Sequence, residues 1–166
     1  MFLRAVTLVG GIAGAVAFSQ FPEYSQQYTQ RLAGAVDELS RVVQRFDTDA
    51  SALGLSRQEA LNDMERAGGM AEARAQSMQR VFVRYDRLSN DLKVLRPKAP
   101  VGQAVQIWRM TDPELARKAW DDFKPAVPVT ITGISMGLVG FLAGLLVFGT
   151  LRAVLRGLFW RKRAVA

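Results

Sequence analysis

Residues 125–151 read PAVPVTITGISMGLVGFLAGLLVFGTL, 27 consecutive positions without a charge. A bilayer core takes about 20 apolar residues in helical form. Lys124 and Arg152 bracket the stretch, and the RAVLRGLFWRKR that ends it is basic and aromatic, the composition of a cytoplasmic membrane interface. A transmembrane helix is expected over 125–151, followed by a basic cytoplasmic tail over 152–166. Trp160, Arg161, Lys162 and Arg163 are the candidate lipid-interface residues of that tail, with anionic lipid as its partner.

The start of the chain, MFLRAVTLVGGIAGAVAFSQF, is uncharged from Ala5 to Phe21. It has two readings. Ala15-Val16-Ala17 fits the small-x-small rule of a signal peptide, which would be cut there. Gly10, Gly11 and Gly14, however, suit a packed membrane helix better than a leucine-rich export signal, and an uncleaved anchor over 1–21 is the reading favoured. Gly10 and Gly14 stand four apart, as do Gly133 and Gly137, and Gly140 and Gly144. Small residues at that spacing let two helix backbones approach closely. These six glycines are the candidate packing residues, between the spans or between subunits.

The net charge of +7 belongs to the flanks. Setting aside Arg4 and the five basic residues from Arg152 onward leaves 16 basic against 15 acidic residues. That balance argues against nucleic-acid binding. With both spans retained, Arg4 and the C-terminal basic cluster place both termini in the cytoplasm, with residues 22–124 across the membrane. The chain contains no Cys and no His, so disulfides and ordinary zinc sites are excluded, and the side chain best suited to proton transfer near neutral pH is missing.

Between the apolar blocks the rhythm becomes sevenfold. Leu32, Leu39, Phe46 and Leu53 fall at heptad spacing, with Val36, Val43 and Ala50 beside them, and Tyr24 and Tyr28 begin the same face. Gly54 suits a helix end, and Ser56 with Glu59 makes a capping box for the next helix. That second helix repeats through Leu61, Met64, Gly68, Ala71, Ala75, Met78, Phe82, Tyr85, Ser89 and Leu92, with Gly68-Gly69 as a soft point. The pattern predicts a long antiparallel, coiled-coil-like hairpin over 22–95. Val81, Leu88 and Leu95 form a second stripe, for a partner or for local packing. A return loop over 96–124 should hold a short interfacial helix capped by Thr111 or Asp112 and opened by Pro113. Ile107, Trp108, Trp120 and Phe123 there suggest an interfacial collar.

Nothing in the sequence builds a catalytic, cofactor or metal site. Asp47-Thr48-Asp49 opens like a calcium loop but lacks the glycine and terminal glutamate at the required offsets. Asp37-Glu38 and Asp121-Asp122 read as solvated charge. No P-loop, dinucleotide fingerprint or nucleophile elbow is present, no small-molecule substrate is evident, and neither span contains an ionisable residue.

The block SQFPEYSQQYTQRLAGAVDELSRVVQRFD, followed by GLSRQEAL, resembles an uncharacterised family of bacterial membrane proteins known only as a domain of unknown function. The resemblance covers most of the chain and implies a proteobacterial inner-membrane protein, without established activity or catalytic residues. The expectation is an all-α membrane protein in which two transmembrane helices flank the hairpin. Its expected role is non-enzymatic and without cofactor: a structural or accessory subunit that forms a homo-oligomer or docks to a larger envelope complex. The alternatives are a membrane-tethered sensor or adaptor for a periplasmic partner, and a small transporter component.

Overall fold

A computed structural model describes residues 2–125 and 129–163, with side chains over 5–125 and 129–154. The described residues are helical, without strands: α1 (Phe2–Ser19), α2 (Phe21–Ala52), α3 (Arg57–Ala67), α4 (Gly69–Leu95), α5 (Pro100–Ala104), a 3-10 turn (Ile107–Arg109), α6 (Pro113–Asp121) and α7 (Ile131–Arg163). Two helical stretches are long and apolar enough to cross a membrane, Ile131–Val154 and the one that begins at Ala5. The residues fall into two compact units. One is drawn from Met1–Gln26, Ala99–Val105 and Trp120–Ala166; the other is Gln27–Lys98 with Gln106–Ala119.

In the first unit α1 and α7 lie side by side. Within the apolar stretch α7 begins at Ile131. There Thr130 supplies the cap: its Oγ1 accepts the Gly133 N–H at 3.1 Å, a donor that a helix start leaves unpaired, and its carbonyl accepts the first bond of the helix, from Ile134 at 2.9 Å. The helix then continues through the basic segment to Arg163. Close by in the sequence of this unit, Tyr24 meets Trp120 and Phe123 edge-on at 6.4 Å each, and the latter two rings stack at 5.8 Å. Burial raises the Tyr24 phenol above its ordinary value.

The second unit owes its form to turns. Gly54 has φ +71°, the left-handed backbone that suits glycine at a helix end. Both halves of the Ser56–Glu59 capping box are made. The helix expected to run on to Leu95 is divided, because Gly68 and Gly69 have φ +71° and +60° and no α-helix continues through such angles. The short α3 therefore folds back across α4. Glu65 Oε1 accepts from Gln79 Nε2 at 3.4 Å, and the Arg57 guanidinium lies 4.4 Å from the centre of the Phe82 ring.

Val43, Leu61, Ala75, Met78 and Phe82 form one buried cluster, with Phe46 edge-on to Phe82 at 5.3 Å. Tyr28, Leu32, Val36 and Ala50 on α2 are buried, Leu39 and Phe46 are half-buried, and Leu53 lies past the end of the helix and is 76 % exposed. Leu88 and Leu95 are buried within the chain, and Val81 packs on the cluster; the second stripe is covered locally.

Candidate functional site

In the first unit the helices meet through what is missing from their surfaces. A Cβ added at Gly14 would strike the carbonyl oxygen of Gly140, and one at Gly140 the carbonyl of Gly14 and the Cβ of Phe18. A Cβ at Gly144 would strike the Gly10 carbonyl and come within 3.0 Å of the Gly11 Cα, and one at Gly10 would enter the Phe148 ring. Partners descend along α7 as they ascend along α1, so the pair is antiparallel. Backbone lies on backbone, the close approach that small residues permit.

Of the six candidate glycines, Gly10, Gly14, Gly140 and Gly144 are brought together in this seam. Gly137 is in ordinary contact, 3.4 Å from the Ser19 Cβ. Gly133 is buried in the first turn of α7, where its N–H serves the Thr130 cap. Gly11 belongs to the seam although the four-residue spacing passes over it: a Cβ there would come within 2.9 Å of both Leu145 and Phe141. Its signal was adjacency, since a wide contact strip takes two neighbouring positions per turn. The side chains of Trp160, Arg161, Lys162 and Arg163 lie outside the described ones.

Away from the seam both helices are covered with exposed apolar side chains, among them Leu8, Val9, Ile12, Leu138, Leu142 and Leu146. Monomeric soluble proteins rarely expose so large a continuous apolar surface.

The second unit has two further features. Asp112 is 4 % exposed and gathers several roles. Its Oδ1 accepts the Leu115 N–H at 3.2 Å as the cap of α6, and its carboxylate accepts from Arg84 at 3.3 Å and Arg87 at 2.8 Å. Its own N–H donates to the hydroxyl of the fully buried Tyr28 at 3.3 Å. Beside it Glu114 accepts from Lys118 and Arg84, each at 2.8 Å. Those two hydrogen bonds, helped by the positive charges, pull the Glu114 carboxyl down to about 2. Arg109 Nη1 donates to Asp91 at 2.9 Å. Of the two cap candidates it is Asp112 that caps. Its pairing with Tyr28 and α4 was not readable in sequence, since the partners stand 84, 28 and 25 residues away.

The other feature is a groove of about 520 Å³ lined by Val42, Phe46, Ala50, Leu53, Met64 and Met78, with Arg45, Asp49, Asp63 and Arg74 among its remaining residues. Next to it Arg57 ties α3 to α2 through two hydrogen bonds to Asp47, at 2.8 and 2.6 Å. The hydrogen bond to Arg57 lowers the Asp47 carboxyl below its ordinary value. This pair occupies the first residue of the Asp47-Thr48-Asp49 motif. Among the described residues no cluster of acidic side chains is grouped to hold a metal ion.

The chain belongs to a family described as protein of unknown function (DUF2937), whose model matches residues 2–161. No curated protein and no solved structure matches it.

Proposed function

We propose that the chain is a non-enzymatic integral membrane protein of a bacterial inner membrane, a structural or accessory subunit whose two spans anchor a helical assembly module. The observation that supports this most directly is the glycine seam. In lipid there is no hydrophobic force between two apolar helices, so association depends on close backbone contact. Gly14 against Gly140 and Gly10 against Gly144 supply it, while leucines and isoleucines cover the outward faces.

The spans carry no ionisable residue between Ala5 and Phe21 or between Pro125 and Leu151. Such a pair suits anchoring, because ion or proton passage uses charged or polar groups within the membrane. An antiparallel pair returns the chain to the side it left. Arg4 and the basic residues from Arg152 onward then put both termini in the cytoplasm and residues 22–124 in the periplasm. Heptad packing and ion pairs, without a cluster of catalytic groups, favour an assembly role for that segment.

Native mass spectrometry of the full chain released from detergent micelles tests this reading. Multimers, or a copurifying membrane protein, are expected; a strictly monomeric species without partners would overturn it. Reporter fusions at Gly54 and at the C-terminus test the orientation, and a cytoplasmic Gly54 would reverse it.

A further inference from the structure

The apolar groove of the second unit lies beside an exposed leucine and under charges of both signs. Leu53 continues the heptad series of Leu32, Leu39 and Phe46, but α2 ends at Ala52, and the Gly54 turn leaves Leu53 76 % exposed at the groove's lip. Around that lip stand Arg45 and Arg74 with Asp49 and Asp63. Arg45, Asp49 and Arg74 form no salt bridge among the described residues, and Asp63 is paired only with the exposed Arg66, at 2.7 Å.

Two cations and two anions around an apolar floor give no preference for an anionic lipid, a nucleic acid or a basic peptide. They do match themselves. Across a twofold axis every contact from residue i to residue j is repeated from j to i, so an Arg45 placed against Asp49 of a second copy is returned by the reciprocal pair. Such complementarity selects partner and register. Chains inserted in a membrane in one orientation hold equivalent surfaces at one height, which makes a twofold axis along the membrane normal available to them.

We propose that this face is the contact between two copies of the chain, with Leu53 of each copy seated in the groove of the other and Arg45 facing Asp49 of the second copy. The inference rests on the assembly reading above and names the surface and the partner that serve it.

Because the chain has no cysteine, Leu53→Cys introduces a unique thiol at a position that packs against little else. The full-length L53C protein, reconstituted in vesicles and treated with a short bifunctional thiol reagent, should form a covalent dimer. Val83→Cys, 71 % exposed on α4 and outside the groove, should give only background. Adding Asp49→Arg to L53C should abolish the dimer, and mixing that protein with one carrying Arg45→Asp and L53C should restore it. Multimers in native mass spectrometry combined with equal crosslinking at positions 53 and 83 would overturn the groove contact and leave the assembly reading standing. Monomers alone would overturn both.

Discussion

The two units hold their helices together by opposite means. In the first, α1 and α7 touch where side chains are lacking: carbonyl lies against glycine, Phe141, Leu145 and Phe148 lie over Gly10 and Gly11, and other large apolar groups are left exposed. In the second, the helices touch where side chains are largest: Phe46 on Phe82, Leu61 against Met78, and Asp112 drawing Arg84 and Arg87 onto the cap of α6. The difference follows from the solvent each arrangement suits. Water rewards the burial of leucine and phenylalanine at about 25 cal/mol per Å², so helices facing water turn their bulk inward. Lipid offers no such reward, and helices in it are selected for van der Waals fit.

The sharpest way to break the comparison is to give the seam a side chain. Gly140→Leu would press its Cβ on the Gly14 carbonyl and the Phe18 Cβ, and backbone cannot yield as a side-chain tip can. A cost of about 3 kcal/mol or more is expected, the upper end of overpacking. The spans should then separate, read as a lengthened distance between spin labels at Leu8 and Leu146. Gly149→Leu on the same helix is the matched control: a Cβ there meets nothing within 4 Å, and the label distance should stay unchanged. Equal effects of the two variants would show that the seam does not hold the pair together.

In the second unit the equivalent test removes a polar group. Asp112→Ala takes away the cap of α6 and the shared anion of two arginines. A loss of about 2 kcal/mol is expected, the strong end for a cap, seen as a lower denaturation midpoint. Arg84 and Arg87 are exposed enough to be rehydrated, so the larger penalty of a stranded buried charge does not arise. Asp112→Asn, which still caps but is neutral, should recover about half of the loss. Recovery of all of it would mean that the arginine pairs add nothing.

Much of this architecture could be read from residues alone, and the parts that could not share a cause. Apolar runs, the Ser56–Glu59 box and the Gly54 turn are local signals, each complete within a few residues. The glycine spacings marked four of the seam positions because helix periodicity is local too. The fold-back of α3 was not legible: two adjacent glycines in a helical pattern are compatible with a gentle kink or with left-handed angles, and only packing against α4 selects between them. Asp112 was visible as a cap and invisible as a junction, since nothing in its neighbourhood announces Tyr28 or Arg87. Leu53 misled by continuing a heptad that the helix itself does not continue.

That fold-back offers a third, smaller test. Gly69 has φ +60° with open space where a Cβ would go, so Gly69→Ala meets no clash and is opposed only by its backbone angle. About 1 kcal/mol is expected, the cost of the left-handed conformation for an L-residue. The same substitution favours helix, so part of the population should extend α3 into α4. Labels at Gln58 and Val83 would then move apart. A single short distance with unchanged stability would mean that packing of Leu61 on Ala75 and Met78 sets the fold-back without help from glycine.

The smallest effect is electrostatic and confined to acid. Glu114 is held at about 2 against an ordinary 4.5 by Lys118 and Arg84. A carboxyl whose folded value is depressed stabilises the fold fully above its ordinary value and loses that contribution as pH falls toward the folded one. The contribution should therefore fade between about 4.5 and about 2. Exposure of the pair keeps it modest. Asp47, Glu59 and Glu38 are lowered as well, by Arg57, Ser56 and Arg41, so the acid limb of a stability curve is shared. Glu114→Gln isolates one share: the variant should be less stable than the parent at neutral pH and converge with it toward pH 2. A carbon-detected titration of the Glu114 carboxyl gives the more direct reading, and a midpoint at the ordinary value would show that neither cation holds it in solution.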